Sequence, residues 1–138
     1  MTCVGVIESD AAIRQVVRLL FEDAGYAIVE ANDGLSGLAL LRNCVEPLVA
    51  VIDHRLPRLD GCDLLDLVRT DETLRQRHAY VFMTTDPRGA VDDCGEALEE
   101  LAVPLLPKPF HIDELVAAVQ AAEQRLASLV ARPSEEPN

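Results

Sequence analysis

Five short apolar runs alternate with longer amphipathic segments along the chain. The runs are Cys3–Ile7, Tyr26–Glu30, Leu48–Asp53, Tyr80–Met83 and Val103–Leu106. Each has the length of a β-strand, and the third, with its valines and isoleucine, is typical of a strand covered on both faces. The segments that follow the runs repeat apolar residues at helical spacing, as from Ile13 to Phe21. The alternation predicts an α/β fold, a doubly wound five-stranded parallel sheet with helices on both faces.

Three stretches in the second half of the chain differ from this regular pattern. The polar stretch from Asp71 to His78 is expected to be an irregular extension of the third helix. A long last helix is predicted from Ile112 to Leu129. Residues 132–138 contain two prolines and two glutamates, which predicts a disordered tail after a single domain of residues 1–131.

Charge and hydropathy limit the partners of the chain. It has 138 residues and a net charge of −12, from 24 acidic and 12 basic residues. So acidic a surface disfavours non-specific binding to nucleic acid or anionic lipid, and we expect neither as a direct partner. No apolar run reaches the roughly 20 residues of a membrane span, and the N-terminus lacks a basic signal-peptide region. A cytoplasmic location is expected.

The four cysteines, at positions 3, 44, 62 and 94, are far apart in sequence. They include no C-x-x-C pair, which makes a zinc site an unfavoured interpretation. We expect four small buried thiols, kept reduced in the cytosol.

Asp53 is the most informative residue, because it ends a strand that is otherwise wholly apolar. In open α/β sheets, ligands bind in the crevice outside the carboxyl ends of the strands. A carboxylate buried there without a partner would cost several kcal/mol. It therefore needs a cation, a hydrogen-bond donor or a covalent modification.

Other polar side chains follow the remaining strands and should converge on Asp53. Glu8, Ser9 and Asp10 follow the first strand, Thr84 follows the fourth and Lys108 the fifth. Carboxylates and a backbone carbonyl suit a hard cation such as Mg²⁺. A hydroxyl and an ammonium suit the oxygens of a phosphoryl group. The set predicts that a carboxylate here accepts a phosphoryl group.

The chain resembles the receiver domains of response regulators in two-component signalling, from about Val4 to Leu126. The resemblance is carried by four motifs: Ile7-Glu8-Ser9-Asp10, Asp53 with Leu56-Pro57 and Asp60-Gly61, Thr84 after Phe82-Met83, and Lys108-Pro109-Phe110. Each motif is weak alone, and their order and spacing make the set specific. The resemblance implies a flavodoxin-like strand order 2-1-3-4-5 and a cis bond between Lys108 and Pro109.

The resemblance also implies roles for these residues. Asp53 is the phospho-acceptor, served by a histidine kinase or phosphotransfer protein, with Lys108 as the ammonium and Thr84 as the hydroxyl that senses the phosphate. Glu8, Asp53 and the Arg55 carbonyl are the implied Mg²⁺ ligands, and Asp10 is a further candidate that suits a helix cap better.

Two further positions, Arg55 and Asp86, correspond to those that tune self-dephosphorylation in the family. Either their opposite charges reach toward each other over the site, or both side chains extend into solvent at this exposed rim. Beyond this self-phosphorylation and self-dephosphorylation chemistry, no enzyme activity is expected.

Two residues depart from the family pattern. Ser9 stands where a second metal-binding aspartate is usual, so Mg²⁺ should bind weakly. Leu105 stands at the switch position, where an aromatic residue is usual and which works together with Thr84. These departures leave open an alternative function, that of a pseudo-receiver, a binding module that works without phosphorylation.

Other interpretations have less support in the sequence. His54 should face away from Asp53, because adjacent strand residues point to opposite faces, and it is expected to be packed or solvated, as are His78 and His111. A dehalogenase-type phosphatase would need an aspartate where Arg55 stands. A nucleotide-binding protein would need a glycine-rich loop after the first strand. We expect an output through contact with a protein that the sequence does not identify, or a longer native chain.

Overall fold

A five-stranded parallel sheet forms the centre of the fold. The computed structural model describes residues 2–131, so the predicted tail at 132–138 lies outside the described residues. The strands are β1 (Cys3–Ile7), β2 (Ala27–Ala31), β3 (Leu48–Asp53), β4 (Ala79–Thr84) and β5 (Leu105–Pro107). Their order is β2-β1-β3-β4-β5. The predicted fold class and strand order are therefore confirmed.

Within residues 2–131, six helices connect and cover the strands. They are α1 (Ala11–Asp23), α2 (Gly34–Asn43), α3 (Gly61–Thr70), α4 (Glu72–Arg77), α5 (Pro87–Glu100) and α6 (Ile112–Ala131). Aspartate side chains accept hydrogen bonds from backbone N–H groups at the starts of α1, α2, α4 and α5, which satisfies donors that have no partner within the helix.

The alternating strand residues divide the interior into two layers. Val49 and Val51 face the layer that contains Val17 of α1 and Val119 of α6. The alternate residues of β3 face the layer formed with α2, α3 and α5. Side chains in a strand point alternately to opposite faces, so one continuous apolar run supplies both cores.

The stretch from Asp71 to His78 is more regular than its sequence predicts. It forms α4, in which Asp71 caps the helix through Leu74 N at 3.2 Å. Leu74 is buried in the layer formed with α2, α3 and α5. The expected irregular extension is therefore wrong: a single apolar side chain and one cap are enough to order a short helix against the core.

The cysteines also differ from expectation. Cys62 of α3 and Cys94 of α5 are joined by a disulfide, with 5.4 Å between their Cα atoms. Cys3 and Cys44 are free but only partly buried. The expectation of four buried thiols is thus wrong, because packing of α3 on α5 brings together two residues that are 32 positions apart. Within residues 2–131, no helix is both long and apolar enough to span a membrane.

Candidate functional site

Asp53 lies at the carboxyl edge of the sheet, as the last residue of β3, and is only 7% exposed. Its Oδ1 atom is 2.8 Å from the Nζ atom of Lys108. The two side chains come from β3 and from the segment after β5, 55 positions apart by number. The parallel sheet brings them together because both segments end at the same edge.

Lys108 also contacts Glu8, the residue that follows β1. Its Nζ atom donates to Glu8 Oε1 at 2.7 Å, and Glu8 is only 1% exposed. The backbone N–H of Lys108 donates to the Thr84 carbonyl at 2.7 Å, and the Lys108–Pro109 bond is cis, as expected. The Lys108 ammonium group therefore bridges two buried carboxylates, and the backbone of Lys108 is held by its own hydrogen bond to Thr84.

The charges of this triad influence one another strongly. Burial is the main cause that raises the pKa of Asp53, from 3.8 to about 6; Lys108 opposes the rise and the neighbouring Glu8 carboxylate adds to it. Burial disfavours the charge of Lys108, but hydrogen bonds to Asp53 and Glu8 outweigh it, and the pKa of Lys108 is raised overall. Two carboxylates thus share a single close cation, and additional positive charge at this point would be favourable.

Thr84 is buried at the end of β4, beside β3. Its Oγ1 atom is 2.7 Å from His54 Nδ1 and accepts a hydrogen bond from Asp86 N at 2.9 Å. The hydroxyl therefore bonds to the residue that follows Asp53. Burial is the main cause that lowers the pKa of His54, so the ring is neutral at pH 7.

The contact between His54 and Thr84 was missed by the sequence analysis. His54 is packed, at 1% exposure, which is one of the two environments expected for it. The register of the sheet explains its partner: Asp53 pairs with Met83, so the next residues along each strand, His54 and Thr84, come side by side. The expected strand order places β3 beside β4, and this order could have predicted the contact.

The loop between β3 and α3 approaches the site closely because of a glycine. The N–H of Gly61 donates to the His54 carbonyl at 2.8 Å. A Cβ atom at this position would collide with the Asp53 carbonyl oxygen and lie 2.9 Å from His54 Cα. The absence of a side chain at Gly61 lets the start of α3 pack against the end of β3.

The acidic residues after β1 divide into different roles. Asp10 Oδ1 accepts from Ala12 N and Ile13 N at the start of α1, at 2.9 and 3.2 Å. This is the capping role that the sequence favoured over metal binding. Ser9 is exposed. Among the three residues from 8 to 10, Glu8 is thus the one whose carboxylate lies against Asp53 and Lys108.

The expected pair between Arg55 and Asp86 does not form in this structure. Among ion pairs between described residues, none joins these two side chains. Asp86 instead caps α5, with its Oδ1 atom accepting from Gly89 N at 3.0 Å. Both residues are exposed. The carboxylate is used locally because a helix N-terminus offers fixed N–H donors at less entropic cost than a flexible arginine.

The donor set is suitable for Mg²⁺. Glu8 and Asp53 each present a carboxylate at one point, and both share the ammonium of Lys108. Hard oxygen donors and a shortage of compensating charge are the conditions under which Mg²⁺ binds, with waters completing its shell. Glu8 and Asp53 are the side chains that would hold it, and the Arg55 carbonyl stays a ligand implied by the resemblance.

Fold and site together define a class: a doubly wound α/β domain with one buried aspartate, a bridging lysine and a strand-end threonine at the ligand-binding edge of its sheet. The family model described as the response regulator receiver domain matches residues 4–120. The chain belongs to this family of two-component signalling proteins, which are signalling modules and not conventional enzymes.

Individual relatives agree with this assignment. The chain is 33% identical over 120 residues to the DNA-binding dual master transcriptional regulator RpaA of Synechocystis, and 31% identical over 120 residues to the transcriptional regulatory protein CpxR of Escherichia coli. Each alignment covers 87% of this chain and 48% of the relative, so the chain spans about half the length of these curated relatives.

Solved structures give the same result at the level of the fold. A response regulator receiver domain from Clostridium thermocellum superposes with a TM-score of 0.78 at 27% identity, covering 94% of this chain and 99% of that one. The receiver domain of the Francisella response regulator 1452 gives 0.74 at 28% identity, covering 91% and 98%.

Proposed function

We propose that Asp53 accepts a phosphoryl group from a phosphohistidine, carried by a histidine kinase or a phosphotransfer protein. The observation that carries this proposal is a buried carboxylate at the ligand-binding edge of the sheet, held 2.8 Å from the ammonium of Lys108. A buried structural aspartate would also need a partner, but it would not need to lie at the edge of the sheet where ligands bind. An acceptor at this edge needs the ammonium as well, because each transferred phosphoryl group brings additional negative charge.

The chemistry assigns one task to each group. An ionised Asp53 oxygen attacks phosphorus, the nitrogen–phosphorus bond of phosphohistidine breaks, and its electron pair returns to the imidazole of the donor. Lys108 can move from its two carboxylates to a phosphoryl oxygen. When bound, Mg²⁺ neutralises charge on the phosphoryl oxygens, and Glu8 and Asp53 orient toward it.

Thr84 is proposed to sense the modification. Its hydroxyl is bonded to His54 Nδ1, so it would have to exchange this partner for a phosphoryl oxygen wherever the ring accepts the hydroxyl proton. Leu105 is partly buried and pairs with Phe82 in the neighbouring strand. A leucine has no polar tip to expose, so the change at β5 is proposed to be small and apolar.

The lifetime of the phosphoryl group is proposed to depend on Arg55 and Asp86. Both are exposed, and Asp86 is fixed by capping α5 while Arg55 is free to extend over the site. Arg55→Ala should speed phosphate loss at fixed Mg²⁺, with Arg58→Ala as the control in the same loop. Equal decay of the two variants would remove Arg55 from this role.

Mass spectrometry after incubation with acetyl phosphate and Mg²⁺ tests the proposal. Wild type should gain one phosphoryl group and Asp53→Asn none. Asp63→Asn, which changes an exposed aspartate of α3, is the matched control and should label like wild type. Equal labelling of Asp53→Asn and wild type would exclude Asp53 as the acceptor.

A second candidate function is a pseudo-receiver that signals without phosphorylation. It is favoured by Ser9, which removes a carboxylate from the metal site, and by the engagement of Thr84 with His54. The same experiment separates the two functions: a folded wild-type chain that stays unlabelled with both acetyl phosphate and a kinase would support the pseudo-receiver.

The partner surface is proposed to be an apolar groove beside the site. We call it the α1 groove; it is lined by Ile13, Val16 and Leu20 of α1 and by Phe110 and Ile112, and Lys108 lies at its edge. Val16 is 57% and Ile112 55% exposed, unusual for residues of this kind. An apolar groove that includes Lys108, the lysine in contact with the acceptor Asp53, suits a phosphohistidine-bearing helical partner.

A further inference from the structure

A second cluster of ligand-type side chains lies behind the acceptor, on the side of α3 and α5. A ring nitrogen of His54, a carboxylate oxygen of Asp60 and the sulfur of Cys62 all lie within 4.8 Å of one another. The disulfide places Cys94 directly beside Cys62. None of these four residues has a part in the proposed phosphoryl transfer.

One ring nitrogen of His54 lacks a partner among the described residues. His54 Nδ1 is occupied by Thr84, so Nε2 is the nitrogen that remains available. Nε2 is fully buried and has no hydrogen-bond partner among the residues that the structure describes. Leaving a buried polar atom without a partner is unfavourable, so the native protein should supply it with one.

Asp60 differs from the other aspartates that precede helices. It occupies the N-cap position of α3, yet its side chain makes no capping hydrogen bond, unlike the aspartates at the starts of α1, α2, α4 and α5. Its carboxylate is therefore not committed to the helix. Asp60 is only partly buried, which gives the cluster access to solvent.

We propose that His54, Asp60, Cys62 and Cys94 form a binding site for a thiophilic divalent cation, best matched by Zn²⁺, when the two cysteines are reduced. Imidazole, carboxylate and thiolate are the ligands of four-coordinate zinc, with bonds of about 2.0–2.3 Å. The ligand atoms of His54, Asp60 and Cys62 already lie within 4.8 Å of one another, and the Cys94 sulfur is bonded to that of Cys62, so side-chain rotations can bring all four to a common ion. The ion gives Nε2 the partner that the protein itself does not.

The metal site and the disulfide exclude each other, because both use the sulfurs of Cys62 and Cys94. Reduction breaks the Cys62–Cys94 bond; a dithiol reductant supplies two electrons and two protons and becomes a disulfide itself. Zn²⁺ then displaces the thiol protons to solvent, because thiolates are the metal ligands. Oxidation of the pair removes both sulfur ligands and releases the ion, so metal binding follows the thiol state. The kink of α5 lies at Cys94, whose backbone is non-helical at φ −144° and ψ 31°.

Metal binding would also act on Thr84, a step that rests on the proposed function. A metal on Nε2 fixes the proton of the neutral ring on Nδ1, which then donates to Thr84 Oγ1. Thr84 Oγ1 already accepts from Asp86 N, so both of its lone pairs are filled and its own proton is free. That proton can be donated to an oxygen of the aspartyl phosphate.

Cobalt substitution tests the site directly. The reduced protein, kept in a phosphine reductant with excess Mg²⁺ to occupy the acceptor site, is titrated with Co²⁺ and then with Zn²⁺ against a chromophoric chelator. Wild type should show a thiolate-to-cobalt charge-transfer band at one ion per chain. Cys62→Ser and His54→Gln should each weaken Zn²⁺ binding by more than about 100-fold, beyond the 10–100-fold typical of lost outer-shell contacts.

Matched controls distinguish metal binding at this cluster from metal binding at other cysteines or histidines. Cys44→Ser and His111→Gln remove a cysteine and an exposed histidine elsewhere, and both should bind like wild type. Oxidised wild type should lose the band without any change of sequence, which keeps the test decisive where a variant fails to fold. A reduced wild type with no band, or an unchanged metal affinity in Cys62→Ser, would overturn the proposal.

The coupling to Thr84 is measured with beryllofluoride and Mg²⁺ in the presence and absence of Zn²⁺. The apparent beryllofluoride affinity of reduced wild type should rise by about 5-fold with Zn²⁺, the lower end of typical coupling between sites. His54→Gln should show no change. Equal affinities in wild type would exclude the coupling. If beryllofluoride does not bind at all, the proposed function fails while the cobalt result still stands.

Discussion

Asp53 is held in a charge state that the folded chain disfavours. Its pKa rises from 3.8 to about 6, because it is buried and lies beside Glu8, and Lys108 compensates only in part. Between about pH 4 and 6 the folded protein therefore binds more protons than the unfolded chain, and stability from this group falls as pH rises. The same unfavourable charge makes the site receptive to a cation and makes the carboxylate a reactive nucleophile.

Replacing Asp53 by asparagine should consequently stabilise the protein at neutral pH. Asp53→Asn should unfold with a free energy on the order of 1–2 kcal/mol higher than wild type at pH 7.5, less than about 1.4 kcal/mol per pKa unit would give, because the replacement also removes one carboxylate partner of Lys108. The difference should shrink toward zero at pH 4. Urea unfolding at both pH values without Mg²⁺ measures it, and a gain equal at both would show that the carboxylate charge is not its cause.

Ser9 is the residue whose replacement should improve the metal site. Ser9 is exposed beside buried Glu8, so Ser9→Asp adds a carboxylate next to the two already present. Mg²⁺ affinity should rise by about 10-fold, since ligand charge sets the affinity of such sites. Calorimetric titration gives the value, with Asp10→Asn as the comparison. An unchanged affinity in Ser9→Asp would place residue 9 away from the metal.

At the scale of elements, the loop between β3 and α3 determines the geometry of the site. Gly61 lets α3 begin against the Asp53 carbonyl, and the Gly61 N–H bonds to His54. The position of Asp53 thus depends on a residue that has no side chain. A change there acts on both the fold and the chemistry.

Gly61→Ala should destabilise the protein and slow labelling of Asp53. The added Cβ collides with backbone atoms, and such overpacking costs about 1–3 kcal/mol. Gly95→Ala in α5 is the matched control: its Cβ would meet Val91 Cγ1 at 3.5 Å, ordinary contact, and the change should be neutral or slightly stabilising. Urea unfolding and labelling with acetyl phosphate are the measurements, and similar behaviour of the two variants would contradict this role of Gly61.

At the scale of the whole molecule, the site and the α1 groove lie at one edge of the sheet. Lys108 belongs to both, since it bonds to Asp53 and lies at the rim of the groove. A partner seated on α1 would therefore present its phosphohistidine at the acceptor. Transfer from a protein donor should need the groove, whereas transfer from a small donor should not.

Val16→Asp should slow phosphoryl transfer from a protein donor but not from a small-molecule donor. Transfer from a cognate kinase or phosphotransfer protein should fall by about 10-fold or more, because a buried valine contributes about 1.5 kcal/mol or more and 1.4 kcal/mol is tenfold. Labelling by acetyl phosphate should stay at the wild-type rate. Leu35→Asp, at a residue 50% exposed on α2, is the control for an added charge and should leave both rates unchanged. An intact protein-dependent rate in Val16→Asp would exclude the groove.

The sequence by itself determined the order of elements and the residues at the strand ends. Strand and helix periodicity are local properties, and a carboxylate directly after an apolar run needs no distant information to be noticed. Asp53, Thr84 and Lys108 could be named for this reason. The short helix α4 was missed because its only apolar anchor, Leu74, is ordered by the core and not by a repeating pattern.

Only the tertiary structure decided which of these residues touch. Lys108 bridges Glu8 and Asp53 across 100 and 55 positions, and His54 meets Thr84 across 30. The disulfide between Cys62 and Cys94 likewise depends on α3 packing against α5. Such contacts follow from strand order, register and helix packing, which bring side chains from distant segments together. No local pattern encodes a distance between segments.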